Sequence, residues 1–293
     1  MRTWVPAAFL AVILSFLLPP VPALIKKKLR SQPALLFAVP ALLTAAFCLV
    51  AWRLGAWNWP VTLLIAAYTF VPTICMFIQG MDAGPATWLD FIVILLLWLP
   101  IELNAGARWI PRHAQGLLHT VAYGVALTLA LVLFLAYRGL KGTKYNLPSR
   151  TMDFIDPLIA FVLVAPILIG LGLALQFLPW FHGAGSFSAV RIAKTFGLIF
   201  VATAIPEEIL FRSLIQNWLS QKFGATTGTL ILASIIFGCA HLNNGPQPLP
   251  NWKYMILATI AGYAYGRVFE RASSAMASMA LHALVDVTKH VFF

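Results

Sequence analysis

Three short polar clusters interrupt the apolar C-terminal half of the sequence, and their side chains have the makings of a water-activating site. The first is Ile205-Pro206-Glu207-Glu208-Ile209-Leu210-Phe211-Arg212, the second Phe237-Gly238-Cys239-Ala240-His241, and the third His282-Ala283-Leu284-Val285-Asp286. Pro206 suits the first turn of a new helix, and carboxylates are favoured near a helix N-terminus. Glu208 and Arg212, four apart, share a helix face and can pair. Glu207 points about 100° away round the helix and is left to face another element. Phe237 and His241 share a face, and Gly238 permits a close helix approach. His282 and Asp286 bring an imidazole and a carboxyl group together near the end of the chain.

Each cluster also has a bland explanation. A Glu–Arg pair can be purely structural, His241 borders the polar loop 242–252 and can be an interfacial histidine, and His282 with Asp286 can be an interhelical hydrogen bond. Ionisable groups at membrane depth are costly, however, and three such coincidences in the last third of the chain favour one shared site. A carboxylate beside an imidazole in a low-dielectric cleft can activate water, and a second imidazole can stabilise the oxyanion of a tetrahedral intermediate. Two acidic and two histidine side chains therefore suffice for metal-free peptide hydrolysis. Glu and His also suit zinc, but there is neither an HExxH motif nor a paired ExxH. No cofactor is expected, and a zinc-dependent site is the alternative.

The elements that must position these groups are membrane helices. Of 293 residues, 61% are hydrophobic and 10% charged, well below the quarter charged that is usual for a soluble domain. Runs such as 117–137 contain no charge at all and are long enough to cross a hydrocarbon core of about 30 Å. The net charge of +11 sits largely in short connections, the pattern of topology signals and anionic lipid contacts and not of a nucleic-acid-binding face. Cys48, Cys75 and Cys239 lie in apolar runs without CxxC spacing and read as small buried hydrophobes. The run 4–25 is followed by Lys26, Lys27, Lys28 and Arg30, the reverse of a cleaved signal peptide, so a retained first span is expected.

The fold class expected is all-α, a polytopic transmembrane bundle of about ten spans, near 4–25, 33–54, 61–79, 87–103, 115–137, 154–181, 188–206, 225–241, 252–270 and 275–292. The basic, Gly- and Pro-containing stretch 138–150 divides an N-terminal transmembrane region of unknown role, 1–150, from a motif-rich region, 151–293. Counting Lys and Arg in alternate loops, with Arg138 and Arg212 among them, puts both termini outside, and the active site is expected to face the cytoplasm. Asp90 and Glu102 fall near water-accessible span ends, and His113, His119 and His182 near interfaces. Lys289 and His290 are expected to snorkel. Gly262 and Gly266 form a GxxxG packing face, and the Trp and Tyr residues read as interface anchors.

Taken together, EExxxR at Glu207, Glu208 and Arg212, FxxxH at Phe237 and His241, and HxxxD at His282 and Asp286 resemble the CPBP family. These are the CAAX prenyl protease type II-like, or Abi-type, intramembrane glutamic endopeptidases. The stretch Tyr265-Gly266-Arg267-Val268-Phe269-Glu270-Arg271-Ala272-Ser273-Ser274 is similar to the family's segment before its last motif, and the resemblance covers roughly residues 150–293. It implies that Glu207 activates water with His241, that Glu208 is the second glutamate, and that His282 lies in the oxyanion site. The family often carries Asn where this chain has Asp286. An ionised Asp accepts hydrogen bonds and cannot donate one, so Asp286 is either protonated or orients a neighbour. The implied partner is a membrane-associated protein or peptide, prenylated or of bacteriocin type, in a lipid bilayer, and no nucleic acid. A non-proteolytic scaffold or immunity protein of the same fold is the second possibility, and a proton-coupled transporter the third.

Overall fold

The computed structural model describes residues 4–181, 188–245 and 248–293. His182 therefore lies outside the described residues. Every regular element among them is helical, with no strand. The chain divides into two compact units, Met1–Gly142 and Thr143–Phe293.

In the first unit, α1 (Trp4–Ser15) and α2 (Pro20–Ser31) are bent by 85°. The single straight span expected over 4–25 is thus broken, at a Pro19-Pro20 pair that cannot sustain the helical hydrogen-bond ladder. There follow α3 (Ala38–Arg53, led in by a 3-10 turn over Pro33–Phe37), α4 (Trp59–Gln79), α5 (Trp88–Glu102) and α6 (Arg112–Tyr137), whose last turns, Val132–Tyr137, are π-helical. Asp90 is not at a watery span end. It is fully buried, closing a capping box with Thr87 at the start of α5. It accepts from Arg138 Nε and from a terminal guanidinium nitrogen at 3.1 Å each, and from Gln79 Nε2 at 2.7 Å. Arg138 is 1% exposed, so it is an internal ion-pair partner and not a loop charge. Asp82, in the α4–α5 connection, pairs with Lys26 and Arg30, whose hydrogen bonds hold its carboxyl below the usual range.

The second unit holds α7 (Met152–Ala174), α8 (189–223), α9 (Thr227–Cys239), α10 (Trp252–Arg271) and α11 (Met276–Phe292). Here α10 and α11 are joined by the short turn 272–275, to which the segment before α7 is tied. Asp153 accepts from the backbone N–H groups of Ser149, Arg150 and Ser273 at 3.1, 3.0 and 2.8 Å, and from the Ser273 hydroxyl. Lys144 Nζ donates to the carbonyls of Phe269 and Glu270 at 2.8 and 3.1 Å, and its own carbonyl accepts from Ala275 N–H at 2.8 Å. Burial pushes the Lys144 ammonium below the ordinary lysine range. These bonds set where α11 starts, and hence where its imidazole stands.

Among the described residues four helices are long and apolar enough to cross a membrane, Pro33–Arg53, Trp59–Gln79, Arg112–Tyr137 and Met152–Ala174, or five if the bent α1–α2 pair is one span. The protein is accordingly an integral membrane protein, but ten independent spans do not emerge. The apolar helix α9 has 13 residues, about 20 Å at 1.5 Å per residue and short of the hydrocarbon core. α10 has the length but carries Lys253, Arg267, Glu270 and Arg271.

Candidate active site

The three polar clusters meet inside the second unit. Pro206 does not begin a helix there: α8 runs through it, with π-helical segments at Phe200–Ala204 and Ile209–Gln216 on either side of the α-helical turn Ile205–Glu208. Proline removes one N–H and crowds the preceding turn, and wide π turns accommodate such a break. Arg212 is for the same reason within a helix. It is fully buried, and cannot serve as a loop charge in the topology count.

Glu208 and Arg212 pair as their spacing suggests, Nε to Oε2 at 3.1 Å, both fully buried. The other oxygen of Glu208, Oε1, lies 3.1 Å from His282 Nδ1. The Arg212 guanidinium lies over the rings of Phe237 and Tyr265, 4.7 and 5.8 Å from their centroids. Glu207 turns the other way, as the 100° offset requires. Its Oε2 is 3.9 Å from His241 Nε2 and 3.8 Å from His282 Nε2. Asp286 Oδ2 is 3.6 Å from His282 Nε2. The glutamate that faces both imidazoles keeps 25% of its side chain exposed, against none for Glu208.

The two histidines are held differently. His241 Nδ1 lies 2.9 Å from the Phe237 carbonyl oxygen. That contact requires an N–H on Nδ1, leaving the Nε2 of a neutral ring as an acceptor. Its ring packs edge-on against Phe237 and Tyr254, at 4.8 and 4.6 Å. His282 gives Nδ1 to Glu208, stacks on Tyr265 at 4.7 Å, and directs Nε2 between Glu207 and Asp286. Gly262 admits this packing: a Cβ there would fall 2.8 Å from Phe237 and 3.5 Å from the Arg212 guanidinium. The GxxxG glycines are packing positions.

An apolar cleft opens beside the imidazoles, with about 80 Å³ of space for water. Its walls come from α7, α10 and α11, including Leu168, Leu257 and Val285, and its polar residues include His241, His282, Asp286 and Lys289 beside Tyr254, Tyr265 and Thr288. Lys289 does not snorkel. Its ammonium lies 4.3 Å from the Tyr254 ring centroid and 4.8 Å from that of Phe177. Tyr254 and Tyr265, expected as interface anchors, instead brace the two histidines; Tyr265 is 1% exposed. A signal for Lys289 was present, since His282, Asp286 and Lys289 are spaced i, i+4, i+7 on one helix face.

Zinc asks for three or four donors converging at about 2.0–2.3 Å from one point, and no group of three or more His, Cys, Asp or Glu among the described residues is so arranged.

Residues 189–288 match the family described as Type II CAAX prenyl endopeptidase Rce1-like. The likeness is confined to this segment. The match spans α8 to most of α11, about a third of the chain, and takes in all seven residues singled out by type and spacing. Comparison with curated proteins and with solved structures gave no match. Similarity to the Rce1-like family points to proteolysis at the membrane, and the first unit lies wholly outside the matched segment.

Proposed function

We propose that the protein is an intramembrane endopeptidase that hydrolyses a peptide bond of a membrane-associated protein, with Glu207 and His241 activating water and His282 stabilising the oxyanion. The observation that carries this is the position of Glu207 Oε2 between two imidazole Nε2 atoms, 3.9 and 3.8 Å away, beside an apolar cleft.

A water molecule at that point donates one O–H to Glu207 and the other to His241 Nε2, which the Phe237 carbonyl keeps in the acceptor form. Its lone pair is then directed outward, toward a substrate carbonyl carbon. Attack forms the new C–O bond as Glu207 takes the proton. The carbonyl oxygen gains charge, and an N–H on His282 Nε2 donates to it. Collapse breaks the C–N bond, and Glu207 returns the proton to the leaving nitrogen. Glu208 and Arg212 act one step back: Glu208 accepts a hydrogen bond from the Nδ1–H of His282, which as an imidazolium also presents an Nε2–H to the cleft, and Arg212 balances the Glu208 charge. Asp286 is the acceptor beside His282 Nε2 and orients it. No step requires a metal, and cleavage is expected to persist in a chelator.

The test compares cells carrying the wild type with cells carrying Glu207→Gln or His241→Ala, by membrane proteomics of new protein termini. Both variants are expected to accumulate normally, and termini made by the wild type fall by about 10²–10⁴-fold, the usual contribution of a general base. Cleavage at the wild-type rate by either variant removes it from this role. No wild-type-dependent termini at all, with the proteins well expressed, favours a non-proteolytic scaffold or immunity protein.

A further inference from the structure

We propose that Lys289 is a substrate-binding residue, whose ammonium in the cleft holds a carboxylate of the bound peptide. This rests on the endopeptidase reading and deepens it.

An ammonium has three donors and no acceptor, and a partly desolvated cation is stable when its field is balanced. Lys289 lines the cleft and is partly buried, between the faces of Phe177 and Tyr254. Two ring faces supply attraction but accept no ordinary hydrogen bond, and among the described residues no carboxylate lies within 4 Å of its Nζ. Asp286, three residues earlier on the same helix, acts on the ammonium through its charge but makes no contact with it within 4 Å and is directed to His282. The embrace instead fixes the ammonium's position, and cleft space remains for the missing acceptor.

The position is informative. Lys289 shares a helix face with His282 and lies seven residues beyond it, about 10 Å along the axis. An extended peptide advances about 3.3–3.6 Å per residue. A carboxylate about three residues beyond the scissile bond would therefore meet Lys289 while the reacting carbonyl faces His282. That carboxylate can be the chain terminus of the substrate or an acidic side chain near it. Both present the same chemistry to the ammonium.

The test reads binding in the Glu207→Gln protein, so that hydrolysis is not needed to decide it. Three fluorescent peptides are used, each with an S-farnesyl cysteine followed by three residues. One ends in a free carboxylate, one in a primary amide, and one in an amide with glutamate as its last residue. The carboxylate peptide is expected to bind about ten- to a hundredfold more tightly than the amide, the range for a charge-assisted hydrogen bond. The preference should vanish in Glu207→Gln/Lys289→Gln and survive in Glu207→Gln/Lys289→Arg, which also shows that loss is not misfolding. Tight binding of the glutamate peptide would assign the site to carboxylates in general; weak binding would assign it to chain termini. Equal binding of carboxylate and amide, binding of no peptide, or a preference that outlasts Lys289→Gln each overturns the proposal. If the wild type cleaves none of the peptides but the binding preference holds, the protease reading fails alone. Where it does cleave, Lys289→Gln should raise KM and leave kcat in place.

Discussion

Glu207 and Glu208 are adjacent in sequence and opposite in circumstance. Glu208 is sealed in protein between the Arg212 guanidinium and His282, whereas Glu207 faces the Nε2 atoms of both imidazoles and keeps a quarter of its side chain exposed. Removing Glu208 would strand a fully buried arginine, and an uncompensated buried charge costs about 3–5 kcal/mol. Glu208→Ala is accordingly expected to lower the amount of folded protein in membranes, while Glu207→Gln leaves it unchanged; quantitative blotting of both variants checks this. Equal, normal abundance would show that the Glu208–Arg212 pair carries no structural weight. The pairing itself was legible, because i, i+4 spacing on a helix is a purely local relation. The burial of Asp90 was not, because its partner Arg138 is 48 residues away. A carboxylate near the start of an apolar run looks solvated until that partner is seen.

At the scale of elements, the site depends on how closely α9 and α10 approach. A Cβ on Gly238 would fall 2.7 Å from the Met255 carbonyl oxygen and 2.0 Å from the Thr259 hydroxyl. The hydroxyl can rotate away but the backbone cannot, so the two helices must move apart. Gly238→Ala is expected to destabilise the protein by about 1–3 kcal/mol and to lower activity through its neighbours Phe237 and His241. Gly197→Ala, at a helical position with open space around it, should be neutral or stabilising by up to about 1 kcal/mol. Thermal melts of the two variants in detergent test the contrast, and equal melts would mean that the interface yields. Elements were the least legible level. The proline rule placed a helix start at Pro206, but π-helical turns on both sides let α8 continue. Apolarity marks where a helix is favoured, and gives little account of where a continuous one bends.

At the scale of the molecule, the location of charge bears on sidedness. In the second unit Lys144 and Arg150 gather with Arg267 and Arg271 around the turn that joins α10 and α11. The cleft groups Tyr254 and Lys289 lie at the other end of this helix pair. Positive-inside bias favours the turn on the cytoplasmic side, which predicts that the Lys289 end of the cleft lies toward the opposite side, whereas the active site is expected from the sequence to face the cytoplasm. Single-cysteine variants, Arg150→Cys and His290→Cys in a background lacking Cys48, Cys75 and Cys239, are expected to react with an impermeant maleimide from opposite sides. Labelling of both from the cytoplasm would restore a cytoplasm-facing site.

From the sequence alone came the membrane setting, the helical class, the pairing of Glu208 with Arg212, the seven site candidates and the family resemblance. All rest on composition or on spacings within one helix, where a few residues of local geometry suffice. Tertiary structure decided that Glu207 faces two histidines from separate helices, and that Tyr265 and Tyr254 brace those rings. It also decided that Lys289 turns into the cleft, and that Arg138 and Arg212 are internal partners instead of topology signals. Each of these depends on where a second helix lies, and a periodicity reports which face a residue occupies without naming what packs against it.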